Sequence, residues 1–200
     1  MAEVLPDEGG FFEIQISNKD FSHTFIQNKD FDSCVFTNCQ MKETTFRHCQ
    51  FRDCTFEQCD LSLAKLEQCH FQHTTFHKTR LMGIDWTKLE WRKKALKPVL
   101  QFSQCNLRYA NFFACPLKGS DFTDCLLQEA DFAEADLSTC DFQGSDLARA
   151  RFLHTNLSEA NFCGAQNYAI NASNNLLKQT RFSLPEAVAL LHSLDIILEE

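Results

Sequence analysis

The chain has 6 Gly, 4 Pro, 3 Met, 2 Trp and 2 Tyr among its 200 residues. So few glycines leave no Gly-rich stretch able to cradle a phosphate. Neither a nucleophile elbow nor a pair of catalytic carboxylates is legible in the first ten residues or between the regular apolar positions. An enzyme is therefore not expected, and neither is a cofactor. No apolar run approaches the ~18 residues of a membrane-spanning helix. The start, MAEVLPDEGG, has no basic segment leading into an apolar one, so the expected compartment is the cytoplasm, where thiols stay reduced.

What is abundant is Phe, with 20 copies, and Cys, with 11. Both are spaced by fives, a period that belongs to neither a helix nor a strand. Every fifth residue from Phe11 to Trp91 is large and apolar: Phe11, Ile16, Phe21, Ile26, Phe31, Phe36 and onward to Phe76, Leu81, Trp86 and Trp91. The series resumes one residue out of phase at Phe102 and runs to Phe162, with Phe and Leu alternating strictly.

Two residues before each large one lies a column of small residues. In the second run it reads Cys105, Ala110, Cys115, Ser120, Cys125, Ala130, Ala135, Cys140, Ser145 and Ala150. In the first run Cys34, Cys39, Cys49, Cys54, Cys59 and Cys69 fall in the same column, so only Cys163 lies outside it. A cysteine that alternates with Ala, Ser and Thr is read as a small, buriable hydrophobe. Cys69, His70, His73 and His77 are the one dense metal-like group, but Cys69 falls in the small, buriable column and the three histidines fall outside it, and no metal site is expected.

The stretches ADFAEADLSTCDFQGSDLARA and TNLSEANFCGA resemble the pentapeptide-repeat family, whose unit is a small residue, Asp or Asn, Leu or Phe, and two variable positions. The resemblance implies an all-β solenoid, a right-handed quadrilateral β-helix with four units per coil and about seven and a half coils. With twenty residues per coil, Phe122, Phe142 and Phe162 should form one internal column and Leu127 and Leu147 the next, placing Phe on opposite walls. The expected organisation is a lead-in over residues 1–10, the β-helix over 11–165 with a phase break near 92–101, and a C-terminal cap over 166–200. In the cap, Ser183 and Glu186 fit a capping box, and Leu184, Val188, Leu191 and Leu194 have helical apolar spacing. A short helix there should cover the last coil, with Leu190 and Ile196 on its other side offering a homodimer contact.

The charge of -8 is uneven. Residues 1–100 carry 13 Lys and Arg against 14 Asp and Glu, and residues 101–200 carry 6 against 13. Eight acids, Asp121, Asp124, Glu129, Asp131, Glu134, Asp136, Asp141 and Asp146, lie between Lys118 and Arg149 with no intervening cation. Asp131, Asp136, Asp141 and Asp146 occupy the repeat's Asp/Asn position and can serve local backbone bonds. Asp124, Glu129 and Glu134 fill variable positions, so a functional acidic surface is expected. Such a surface disfavours direct nucleic-acid binding and favours a basic partner. At the phase break, Trp91, Arg92, Lys93 and Lys94 form a second candidate contact, or merely a kink where the coil re-registers.

The tail NYAINASNNLLKQTRFSLPEAVALLHSLDI and the stretch LMGIDWTKLEW are similar to the topoisomerase-protecting branch of the family, most of all its albicidin-immunity type, with the Qnr quinolone-resistance and microcin-immunity types as relatives. That resemblance implies a DNA-mimicking homodimer that binds bacterial DNA gyrase or topoisomerase IV and relieves poisoning by an antibiotic or toxin. A non-catalytic scaffold with a different protein partner is the alternative.

Overall fold

In a computed structural model that describes residues 9–91, 100–194 and 196, residues twenty positions apart lie side by side on parallel strands. Phe11, Phe31, Phe51 and Phe71 are paired in register on the first wall. Ile16, Phe36, Phe56 and Phe76 form the second wall. Phe21, Met41, Leu61 and Leu81 follow on the third, through bridges between the residues just before them, and Ile26, Phe46 and Leu66 on the fourth. Four steps of five residues return the chain to its starting wall one strand spacing along. The result is an all-β solenoid of about eight coils.

Each strand is about three residues long and buries only its central residue. The chain then turns a corner, and the residue two past nearly every large one takes a left-handed conformation, as Asn38 does at φ 53° and Asp53 at φ 49°. Most side chains tolerate this poorly and Asn and Asp tolerate it best. Hydrogen bonds between coils at nearly every corner, such as Asn18 N–H to Thr37 O at 3.0 Å, hold it in place.

The axis is packed with rings. In the second half, Phe102, Phe122, Phe142 and Phe162 stack along the second wall, with centroids 4.7–5.1 Å apart and interplanar angles of 2–20°. Phe112, Phe132 and Phe152 stack along the opposite fourth wall. Across the axis the two columns meet edge to face, at 83° between Phe112 and Phe122. Both geometries suit the ring quadrupole. The alternation of Phe with Leu thus produces opposite Phe walls, as expected.

The small column has a second requirement beyond size. Cys34 Sγ–H donates to the Phe11 carbonyl at 3.4 Å, Cys54 to Phe31 at 3.5 Å and Cys140 to Leu117 at 3.0 Å. Thr44, Thr79 and Thr155 make the same bond through their hydroxyls to Phe21, Phe56 and Phe132. The slot therefore takes a small donor aimed at the carbonyl of the coil before, and cysteine is not only a hydrophobe there. Cys140→Ser is expected to change stability by less than about 1 kcal/mol because a hydroxyl keeps the bond, whereas Cys140→Leu should cost roughly 1–3 kcal/mol by overpacking. Urea denaturation of both variants measures the difference.

The phase break is an insertion, not a re-registration. Phe76 pairs with Phe102, and Trp86 stacks on Phe112 at 5.5 Å and 12°. This coil therefore spans twenty-six residues where the others span twenty. Glu90 N–H still bonds Cys69 O at 2.9 Å, so Trp91 keeps its place on the first wall. The six extra residues fall in the single step from Trp91 to Phe102. Residues 92–99 lie outside the described residues.

At the C-terminal end the coils continue past residue 165. Leu176 bridges Asn156, and Phe182 pairs with Phe162. The segment Glu186–Leu194 is a 3₁₀ helix, not an α-helix. The capping box is not formed, because Ser183 Oγ accepts from Gly164 N–H at 2.9 Å and so ties the segment to the preceding coil.

Candidate acidic interaction surface and terminal cap

The eight acids between Lys118 and Arg149 do not share one face. Their Asp/Asn-position members are each one coil or one wall apart: Asp136 on the first wall, Asp121 and Asp141 on the second, Asp146 on the third and Asp131 on the fourth. Each carboxylate accepts from the backbone N–H two residues on, at 2.7 Å for Asp121, 2.9 Å for Asp131 and Asp141, and 3.1 Å for Asp136 and Asp146. These bonds satisfy backbone groups that the turn would otherwise leave free. Asp124, Glu129 and Glu134 are the left-handed corner residues of three different corners, with φ of 54°, 60° and 60°.

Ion pairs then divide the set in two. Arg149 Nη2 lies 2.5 Å from Glu129 and Arg151 Nη1 lies 3.1 Å from Asp131, each pair joining neighbouring coils on the third and fourth walls. Burial opposes ionisation of Asp146, but bonds from Asn167, Gln128 and Ala148 hold its carboxyl below the ordinary value. Among the described residues, no carboxylate of the second half on the other half of the circumference makes an ion pair. Asp136 is bonded by Asn156 Nδ2 and Asp141 by Asn161 Nδ2, both at 3.0 Å and both neutral donors. Asp124 and Glu134 have no side-chain partner among the described residues, and they bracket the first and second walls from the two flanking corners. Glu159, at the corner between those walls with φ 62°, belongs to the same half and was not singled out in the sequence. Lys118 also lies on the first wall.

The division escaped the sequence reading because the neutralising arginines lie twenty residues downstream of their acids. That spacing means a neighbour only once the coil length is known. The same spacing joins Asp32 to Arg52 and Asp60 to Arg80 and, with the arginine upstream, Glu67 to Arg47. Each exposed pair contributes only about 0–1 kcal/mol. Their larger consequence is where they leave net charge.

The remaining candidates fall elsewhere. Trp91 is half-buried, packs against the core, and donates its indole N–H to Trp86 O at 3.1 Å, so it is a wall residue and not a projecting contact. Arg92, Lys93 and Lys94 lie outside the described residues. His70 is buried, with Nδ1 3.0 Å from Glu90 O, while His73 pairs with Asp53 and His77 with Ser103. Among the described residues no group of three His, Cys, Asp or Glu side chains could hold a metal ion, and no helix is long and apolar enough to cross a membrane.

In the cap, Ile196 faces outward as expected, but Leu190 and the row of Leu184, Val188, Leu191 and Leu194 exchange the inner and outer faces expected of them. Leu190 packs against the core together with Ala189. Leu184, Val188, Leu191, Leu194 and Ile196 are exposed, Leu184 to 79%. The reason is the tighter winding: in a 3₁₀ helix residues three apart eclipse, so Val188, Leu191 and Leu194 fall in one outward row. The end of the rod thus carries an apolar patch where the sequence pattern indicated a buried stripe.

Two repeat models match most of the chain. A pentapeptide repeat region model matches residues 29–100 and 99–152, and a pentapeptide repeats model, of eight copies in full, matches residues 140–166. No curated protein matches the chain. Among solved structures, trypsin-treated QnrB1, a plasmid-mediated fluoroquinolone resistance protein, aligns over 96% of this chain and 92% of its own at 20% identity, with a TM-score of 0.69. HetL from the cyanobacterium Nostoc, involved in heterocyst differentiation regulation, aligns over 86% of this chain and 84% of its own at 17% identity, also at 0.69. At such identities these likenesses establish the fold, and together with the repeat matches and the twenty-residue register they show that the chain belongs to the pentapeptide-repeat family.

Proposed function

We propose that the chain is a topoisomerase protector, a cytoplasmic homodimer that presents a DNA-like acidic rod to bacterial DNA gyrase or topoisomerase IV and relieves poisoning by an antibiotic or toxin. The observation that carries this reading is the one-sided charge: Asp121, Asp124, Glu134, Asp136, Asp141 and Glu159 face away from every arginine that pairs with an acid in the second half. The carboxylates of Asp121 and Asp141 sit on adjacent coils, one strand spacing of ~4.8 Å apart. A stiff rod with fixed, regularly spaced negative charge suits a basic groove that otherwise holds duplex phosphates. The apolar row Val188, Leu191 and Leu194, with Leu184 and Ile196, supplies the dimer contact. Likeness to QnrB1 supports the reading, as does the albicidin-immunity-like tail. The alternative, a scaffold for a different protein partner, has the support of HetL's equal TM-score.

The test is supercoiling by purified gyrase in the presence of a cleavage-stabilising poison, with this protein titrated in. Restored supercoiling with fewer cleaved products is expected, and the effect should weaken as salt rises. Asp124, Glu134 and Glu159 carry no structural bond, and Lys78 already occupies a left-handed corner. Replacing all three acids with Lys therefore changes the net charge from -8 to -2 without removing a backbone-capping group. The triple variant should lose at least about tenfold in protective potency, corresponding to roughly 1.4 kcal/mol. Full protection by the variant would favour the scaffold reading.

A further inference from the structure

The fourth wall comes apart between the coil of Lys65–Glu67 and the next. Successive coils are laced there by Thr45 N–H to Thr24 O and Lys65 N–H to Thr44 O, both at 2.9 Å, and later by Asn111 N–H to Ile84 O at 2.9 Å. Among the described residues, the bonds this series would place between Lys65–Glu67 and the next coil, from Asp85 N–H to Ala64 O and from Leu66 N–H to Asp85 O, are not made. Trp86–Lys88 is a 3₁₀ turn instead of a strand, and Thr87 N–H is turned onto Asp85 Oδ1 at 3.1 Å. The corners on either side stay closed, by Leu63 N–H to Met82 O at 2.8 Å and Gln68 N–H to Lys88 O at 3.0 Å. Between them a groove of about 810 Å³ opens onto solvent.

Its lining is unusual for this rod. Leu63 stands in a left-handed corner at φ 59° and is 46% exposed, a conformation and an environment that both disfavour leucine. The next corner in that column is Gly83, where an added Cβ would lie 2.7 Å from Leu63 Cδ2, so the leucine leans across a position that holds no side chain. Leu66 lines the groove while its side chain fills the axis, so it meets the groove through its backbone. The acids at the rim are already matched: Glu67 with Arg47 at 2.6 Å, Asp85 with Lys88 at 3.7 Å and Glu43 with Lys42 at 3.8 Å. Lys65, also in the lining, has no such partner among the described residues.

An apolar side chain, a free N–H and one uncompensated ammonium within one groove define a ligand chemistry. We propose that this groove binds a small organic monocarboxylate with an apolar body, the carboxylate held by Lys65 Nζ and Leu66 N–H and the body lying on Leu63 over Gly83. A polyanion is disfavoured by the paired acids of the rim, and a cation by Lys65. This inference is independent of the topoisomerase reading and concerns a different wall of the rod.

The probe is 4-phenylbutyrate, titrated into ¹⁵N-labelled full chain, with 4-phenylbutylamine as the matched cation. Saturable amide shifts confined to residues 63–68 and 83–88 are expected, with a dissociation constant in the millimolar range typical of a fragment-sized ligand. Lys65→Gln should weaken binding at least tenfold while leaving the remaining spectrum and the melting temperature in place, and Lys118→Gln should not weaken it. Four results would overturn the proposal: no saturable shift, equal shifts with the amine, shifts confined to the apolar cap at residues 184–196, or unchanged affinity in Lys65→Gln.

Discussion

Truncating Phe102 to alanine is expected to destabilise the protein by about 3–5 kcal/mol, the range for removing a fully buried aromatic side chain. Phe102 is 0% exposed. It stacks on Phe76 at 5.2 Å and on Phe122 at 5.1 Å, and meets Trp86 edge-on at 5.3 Å and 81°. It is also the first axial residue after the six-residue insertion, so it joins the regular first half to the regular second half. A solenoid is held by nearest-neighbour stacking, and a cavity at this junction weakens the one interface through which the halves cooperate. Guanidinium unfolding should show a lower midpoint and a split or broadened transition. Phe113, 40% exposed on the fourth wall, provides the contrast: Phe113→Ala should stay within about 0.5 kcal/mol. If Phe102→Ala were as mild as Phe113→Ala, the stacked axis would not be the source of stability.

Alkaline pH should unfold the protein well before its backbone chemistry is at risk. Burial pushes the thiols of Cys54 and Cys115 up to about 12 from an ordinary value of 9.0, and it raises Cys140 as well. In the unfolded chain these thiols ionise near 9.0, while in the folded chain they stay neutral. Their contribution is therefore complete below pH 9 and falls as pH rises from about 9 to 12. Each such thiol removes about 1.4 kcal/mol per pH unit across that window, so Cys54 and Cys115 together remove roughly 3 kcal/mol per unit. Tyr168, buried beside Phe162 and Phe182 and pushed up to about 12 by burial, adds to the loss above pH 10. Melting temperatures recorded from pH 8 to 10.5 should fall steeply. The Cys54→Ala, Cys115→Ala double variant should fall less steeply, and an identical slope would show that these thiols ionise in the folded state.

The repeat was legible because a five-residue period has no local explanation. Seventeen successive apolar positions from Phe11 to Trp91 require a structure that returns every side chain to a common axis, and the small column two residues earlier marks where the chain must turn. The spacing of Trp91 and Phe102 was not legible in the same way. Eleven residues are two repeats plus one, or one step plus six, and the two counts are equally good until a partner strand is known. The register of Phe76 with Phe102 and the stack of Trp86 on Phe112 decide for the insertion. The acids posed the same difficulty: Asp131 looks uncompensated until its neighbour is known to be Arg151, twenty residues away.

By itself, then, the sequence determined the five-residue apolar period and the place of nearly every cysteine, both written locally and repeated. The solenoid, its four walls and the Phe and Leu columns of the second half came from the resemblance to the pentapeptide-repeat family, which supplies the four units per coil that the period alone does not fix. Tertiary structure alone decided which carboxylates are left unneutralised, which way the terminal leucines face, and where the fourth wall opens beside Leu63 and Lys65. Those outcomes depend on contacts between coils, and on a 3₁₀ winding in the cap and at Trp86–Lys88, whose sequence separations of twenty or twenty-six residues are set by the fold and not by any motif.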